Sequence, residues 1–173
     1  MKKVFIKNLN GKFLSFLKRV FSFLPFFIML ILIFCFSGQN GNTSGSLSGS
    51  VSSKIIHFVN SITFRDWSAS VMSSYAENIE FLVRKISHVS EYLILTLSFI
   101  IPFSRTFISR KFLFPISITT CILAASLDEF HQTFVIGRTG CIRDVFIDSI
   151  GIIIASGLFY LVFRFQSRTI FSK

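Results

Sequence analysis

Four apolar runs, each of a length that can cross a bilayer, constrain this chain more than any other feature of its sequence. A crossing helix takes about 20 residues, fewer with interfacial flanks. Runs of that order lie at about 20–36, 86–103, 112–127 and 145–163. In hydrocarbon the backbone polar groups must be satisfied within the segment, so runs of this kind become helices. Of the 173 residues, 51% are hydrophobic and the mean hydropathy is +0.67, too little polar surface for a soluble domain. The predicted fold is an all-α membrane protein with four transmembrane helices. Pro25 and Pro102 fall near run ends, where helices tolerate proline.

A basic leader (residues 1–19, with Lys2, Lys3, Lys7, Lys12, Lys18 and Arg19) precedes the first run. A cleaved signal peptide is the competing reading. The run is longer than a usual signal core and no A-x-A-like site follows it, so a retained span is expected. The four-span domain is placed at 20–163, followed by a basic tail at 164–173. With both termini cytoplasmic, the inner segments carry six, three and three basic residues, twelve of the 18 in the chain. That is the bias of the positive-inside rule, and it predicts a multi-pass membrane protein with both termini cytoplasmic. All eight acids (Asp66, Glu77, Glu80, Glu91, Asp128, Glu129, Asp144, Asp148) then fall in outer loops or at the outer ends of spans.

The first outer loop divides in two. Residues 37–53 are rich in Gly, Ser and Asn and read as a flexible linker. From Lys54 onward, Ile55, Ile56, Phe58, Val59 and Ile62, then Val71, Met72, Tyr75, Ile79 and Leu82, recur at helical spacing. Amphipathic helices lying on the outer membrane surface are expected there, with Trp67 as an interfacial anchor.

The net charge of +10 does not indicate nucleic-acid binding, because the basic residues flank apolar runs instead of forming a stripe interleaved with aromatics. Cys35, Cys121 and Cys141 are odd in number and contain no CxxC, which excludes a disulfide framework or a cysteine zinc site.

Chemistry gathers at the outer level. The second span opens with Lys85, His88, Glu91 and Tyr92 within two helical turns. The third ends in Asp128-Glu129-Phe130-His131-Gln132, followed by a short loop to Arg138 and Arg143. The fourth opens with Asp144, Asp148 and Gly151 at i, i+4 and i+7, and Ser37 and Gln39 follow the first span. Each element has a plain reading: Arg84 and Lys85 as snorkelling side chains, Asp144 as a charge favoured at a helix N-terminus, Gly137 and Gly140 as turn residues, His88 with Glu91 as a satisfied polar pair. Taken together, acids and bases from three spans at one depth predict a wet, charged pocket, because ionisable groups near hydrocarbon are costly.

These motifs (SGQ after the first span, K-x-x-H-x-x-E-Y, D-E-F-H-Q-T-F-V-I-G-R, and D-V-F-I-D-S-I-G) resemble the VanZ-like family over essentially 20–163. This family of small bacterial membrane proteins is named for a member linked to resistance to the glycopeptide teicoplanin. The resemblance marks Ser37, Gln39, Lys85, His88, Tyr92, Glu129, Gln132, Gly137, Arg138, Asp144 and Gly151. Glu91, His131 and Asp148 stand where relatives often carry other residues, including Asn at the last, which argues against a mechanism needing every acid and histidine as a metal ligand. The resemblance implies tolerance of glycopeptides without change to their peptide target, and it brings no settled enzymatic activity.

The expected site is therefore Ser37, Gln39, Lys85, His88, Glu91, Tyr92, Glu129, Gln132, Arg138, Asp144 and Asp148, binding a membrane lipid headgroup, a lipid-linked wall precursor or a lipoglycopeptide. The alternative is a membrane enzyme acting on a lipid-linked envelope substrate. His88 would then be the general base, with Glu129 or Asp144 orienting it or holding a divalent cation and Arg138 stabilising developing charge. Ser87 and Ser37 are its candidate nucleophiles. No metal site or cofactor is assigned. A transporter is disfavoured because the inner halves of the spans carry no ionisable residue.

Overall fold

A computed structural model describes residues 13–106 and 109–170. Lys2, Lys3, Lys7 and Lys12 of the leader and Lys173 of the tail lie outside the described residues. The chain forms helices α1 (Leu24–Ser37), α2 (Gly41–Thr63), α3 (Ala69–Phe103), α4 (Arg110–Gln132) and α5 (Ile142–Ile170). Helical residues 13–21 lead into α1 through a turn at 22–23. Four stretches are long and apolar enough to cross a membrane: Phe13–Ser37, Ala69–Phe103, Lys111–Gln132 and Ile142–Phe165. The four-span expectation stands, and each of these stretches extends beyond the apolar run from which it was inferred.

The core of the bundle is built by α1, α3, α4 and α5 through Phe26, Ile33, Tyr92, Leu95, Cys121, Ala124, Ala125 and Ile152. On α4 the buried positions Cys121, Ala125, Asp128 and Gln132 recur at intervals of four, three and four, one face of a helix. Phe99 of α3 packs edge-on and tilted against Phe23 and Phe26, which fastens α1 to α3 at the end away from the polar site. Outward-facing Ile, Leu and Phe cover the rest of the bundle. Apolar exposure of this kind is what a helix bundle shows to lipid.

Two expectations are corrected in the segment between the first and second spans. Residues 41–53 of the expected flexible linker are helical and belong to α2. Gly and Ser have poor helix propensity, but packing overrides it here. Ser48 and Ser52 are buried against α3, and Gly45 and Gly49 leave room for Arg84 and Glu80. Asn40 caps the helix, its side chain accepting the backbone N–H of Thr43 at 2.8 Å.

The amphipathic helices expected after Lys54 are present, as the later part of α2 and the first half of α3, and the second correction concerns only their lying on the surface. Residues 69–85 continue into the second span as one 35-residue helix, about 52 Å long at 1.5 Å per residue. That exceeds a hydrocarbon core of about 30 Å, so α2 and the first half of α3 form a hairpin extending the bundle. Trp67 sits at the hairpin tip, tilted against Tyr75 at 5.0 Å, and roughly 30 Å along the helix from Ile86.

Candidate functional site

At the base of the hairpin the C-terminal ends of α1 and α4 meet the start of α5. Ser37, the last residue of α1, donates its hydroxyl to Asp128 Oδ2 at 3.0 Å. The same oxygen accepts from Gln132 Nε2 at 3.0 Å, and that amide also reaches Glu129 Oε1 at 3.3 Å. Glu129 Oε2 accepts the backbone N–H of Cys141 at 2.9 Å, which draws the α4–α5 loop over the end of α4.

Arg138 completes this frame. Its Nη1 donates to Gln132 Oε1 and its Nε and Nη2 to the carbonyls of Gln39 and Phe36, each at 3.2 Å. These are carbonyls at and just past the α1 terminus, which a helix leaves without intrahelical partners. Burial, with Arg84 adding to it, holds the Arg138 guanidinium below its ordinary value, while Asp128, Glu129 and Glu91 oppose the shift. It remains a cation, as Arg does in proteins.

The loop reaches this position through close backbone approaches. Gly137 adopts φ +75° and lies against Gly41, whose N–H donates to Ile136 O at 3.1 Å. A side chain at Gly41 would collide with the Gly137 carbonyl, and one at Gly151 would collide with the Val89 carbonyl of α3. The turn reading of Gly137 thus holds.

Two cavities open within this frame. The first, about 160 Å³, lies among the end of α1, the base of α2 and α3, and is lined by Ser37, Gln39, His88, Glu91 and Arg138 together with apolar side chains. The second, about 210 Å³, is lined by Lys85, His88, Gln132, Arg138 and Asp144, with Arg84 and Arg143. Ser44, Arg84, His88 and Arg138 line both and form the waist between them.

Lys85 Nζ pairs with Asp144 Oδ1 at 2.6 Å, joining α3 to the start of α5. Asp144 also lies in the first turn of α5, so its reading as a helix N-terminal charge holds too. His88 Nδ1 lies 3.6 Å from Glu91 Oε2, beyond hydrogen-bond distance. That ring nitrogen is buried with no hydrogen-bond partner among the described residues.

The remaining expected residues lie apart from the cavities. Tyr92 and Asp148 are buried beneath them, and the Tyr92 hydroxyl and Asp148 Oδ2 have no hydrogen-bond partner among the described residues. Glu129 faces a separate recess with Cys141 and Thr133. Asp128, Glu80 and Ser48 belong to the site but not to the expected set, and the same holds for Arg84 and Arg143, which line the second cavity. Asp128 is wholly buried, and the four-three-four spacing on α4 carries the signal for it. Glu80 accepts from Arg84 Nη2 and from Ser48, both at 2.8 Å, and holds Arg84 at the waist. No local pattern identifies Ser48 or Glu80, because their pairing depends on α2 folding against α3. Among the described residues, no group of three or more His, Cys, Asp and Glu side chains is arranged to hold a metal ion.

Fold and site define the class: a four-span helical membrane protein with a charged, two-chambered cleft at the hairpin end of its bundle. The family model VanZ/LLP1 matches residues 21–164, and the chain belongs to this family. Comparison with curated proteins and with solved structures found no match.

Proposed function

We propose that this is a bacterial cell-envelope protein whose hairpin end faces outward and whose cleft binds the anionic head of a membrane-associated amphiphile. The chemistry fits a lipid headgroup, a lipid-linked wall precursor or a lipoglycopeptide, and the family name suggests a part in tolerance of teicoplanin. One observation carries the reading: Arg84, Lys85, Arg138 and Arg143 line a single cavity that contains one carboxylate, Asp144. Arg143 makes no ion pair among the described residues, so it is available to an incoming anion. The frame around Ser37, Asp128, Gln132 and Glu129 holds this cavity in shape.

The charge bias of the sequence supports cytoplasmic termini. A reporter inserted at Gly45 is expected outside the cell, and a cytoplasmic signal from it would reverse the orientation.

The second reading, an enzyme acting on a lipid-linked envelope substrate, draws on His88, whose Nδ1 is unpartnered at the waist. Of its candidate nucleophiles, Ser87 Oγ donates to the Val83 carbonyl and Ser37 Oγ, buried, donates to the Asp128 carboxylate. The cationic lining of the second cavity, and not the state of these hydroxyls, favours binding. Arg143→Gln is expected to weaken binding of an anionic amphiphile to the purified protein by about tenfold, the loss of one charge-assisted contact. Teicoplanin tolerance at equal membrane abundance should fall in graded steps through Arg143→Gln and Arg84→Gln. Turnover of a lipid-linked substrate that His88→Ala abolishes would replace the binding reading with the enzymatic one.

A further inference from the structure

The two cavities have different walls. The second is lined by charge, whereas the first has Ile33 and Phe36 from α1, Leu47 and Val51 from α2, and Val83 from α3. A small soluble anion gains nothing from five large apolar side chains, but an amphiphile does.

The first cavity is also continuous with surface facing lipid. Phe36 is 49% exposed, and Leu32, one turn before it on α1, is 41% exposed. On α3, Ser87 and Glu91 line the cavity, and Ile94 and Ile101 follow on the same helix face at 49% and 40% exposure. An apolar track thus leads from the cavity down the bundle, with α1 on one side and α3 on the other.

The waist supplies the complementary chemistry. Arg84 Nε and His88 Nδ1 are both buried without a hydrogen-bond partner among the described residues, and both residues line both cavities. Buried polar atoms are almost always paired, and the Arg84 side chain, which borders both cavities, has an Nε without an acceptor among the described residues. A phosphate oxygen is such an acceptor, and the guanidinium of Arg84 is suited to it.

We infer that the ligand is a phosphate-bearing membrane lipid that enters sideways from the bilayer between α1 and α3. Its phosphate rests at the Arg84–His88 waist, its polar head extends into the cationic chamber, and one apolar chain runs beside Phe36, Leu32 and Ile94. This rests on the reading of the cleft as a site for an anionic head, and adds that the apolar chain is recognised too.

The test compares soluble probes on the full-length protein in an uncharged detergent, by calorimetry. Dihexanoylphosphatidylglycerol carries phosphate and chains, glycerophosphoglycerol and inorganic phosphate carry no chain, and dihexanoylglycerol carries no phosphate. The expected result is binding of the first at least about tenfold tighter than of any other probe. Val51→Trp, which fills the apolar cavity, is expected to erase that advantage while inorganic phosphate binds as before. Arg84→Gln should weaken all phosphate-bearing probes. Equal affinity for dihexanoylphosphatidylglycerol and glycerophosphoglycerol overturns the sideways-entry inference and leaves the anionic-head reading standing. Equal affinity for dihexanoylglycerol and dihexanoylphosphatidylglycerol, or no binding of any phosphate, overturns both. Full retention of the preference in Val51→Trp overturns the placement of the chain.

Discussion

The hairpin and the bundle share a helix, α3, yet they are held together by different means. In the bundle, α3 is surrounded by α1, α4 and α5, and its buried face carries Tyr92, Leu95 and Ile100. In the hairpin it packs chiefly against α2, with Lys85 at the base also reaching Asp144 of α5, and the buried contact is small and partly polar: Ser48, Ser52, Ile56 and Ala76. Large apolar residues of α2, including Leu47, Val51, Ile55 and Phe58, point away from that contact. The hairpin therefore relies on close backbone approach and on the Ser48–Glu80–Arg84 cluster, and the bundle on side-chain packing. Close approach of small residues is the means by which helices associate inside membranes. A two-helix unit with little buried apolar area should open locally at lower free energy than the core it adjoins.

The comparison is tested most severely at Gly151, where bundle helices α3 and α5 touch. Gly151→Leu places a side chain against the Val89 carbonyl, and overpacking there should cost about 3 kcal/mol or more. The expected outcome is loss of monodisperse protein in detergent chromatography. A well-behaved variant would show that α5 is free to shift.

Gln132→Leu removes the amide that links Asp128, Glu129 and Arg138. Leaving those buried groups without their partner should cost about 1–3 kcal/mol. Thermal unfolding in detergent reads this, and an unchanged midpoint would mean that water replaces the amide and the frame is not rigid.

Ser48→Leu addresses the hairpin directly, by forcing α2 away from Glu80 and Arg84. It should raise amide exchange in residues 41–85 by about tenfold, roughly 1.4 kcal/mol of local stability, while residues 92–100 keep their protection. Equal loss of protection in both regions would show that hairpin and bundle unfold together.

The smallest effect is expected for Asn40→Ala. Loss of the cap on Thr43 should cost about 1 kcal/mol and loosen only the first turns of α2. Faster exchange reaching Ile56 would make capping the main support of α2, in place of its contact with α3.

Legibility from sequence differs between the same two regions. The spans follow from uninterrupted apolar runs, a pattern that has one solution in a bilayer because unpaired backbone groups are excluded there. The hairpin half of α3 carried a helical periodicity, but nothing local showed that it joins the second span without a break. The Ser/Gly stretch reads as a linker because composition reports propensity, whereas its small residues at Gly45, Ser48, Gly49 and Ser52 let α3 approach. The asparagine cap and that spacing were the available signals.

For the site, sequence alone determined which groups reach one end of the bundle. Charge is too costly to bury at random in a membrane, so Lys85, His88, Glu91, Arg138, Asp144 and their neighbours were bound to gather at a span end. Only the tertiary structure decided what each one does there. It commits Arg138 to the carbonyls of Phe36 and Gln39, pairs Lys85 with Asp144, and sends Glu129 to the Cys141 amide. It also draws Arg84 to the waist through Glu80 and Ser48, and leaves His88 Nδ1 unpaired there. The reason is physical: membrane cost acts on each residue's own depth, whereas a hydrogen bond depends on two groups brought together from distant parts of the chain.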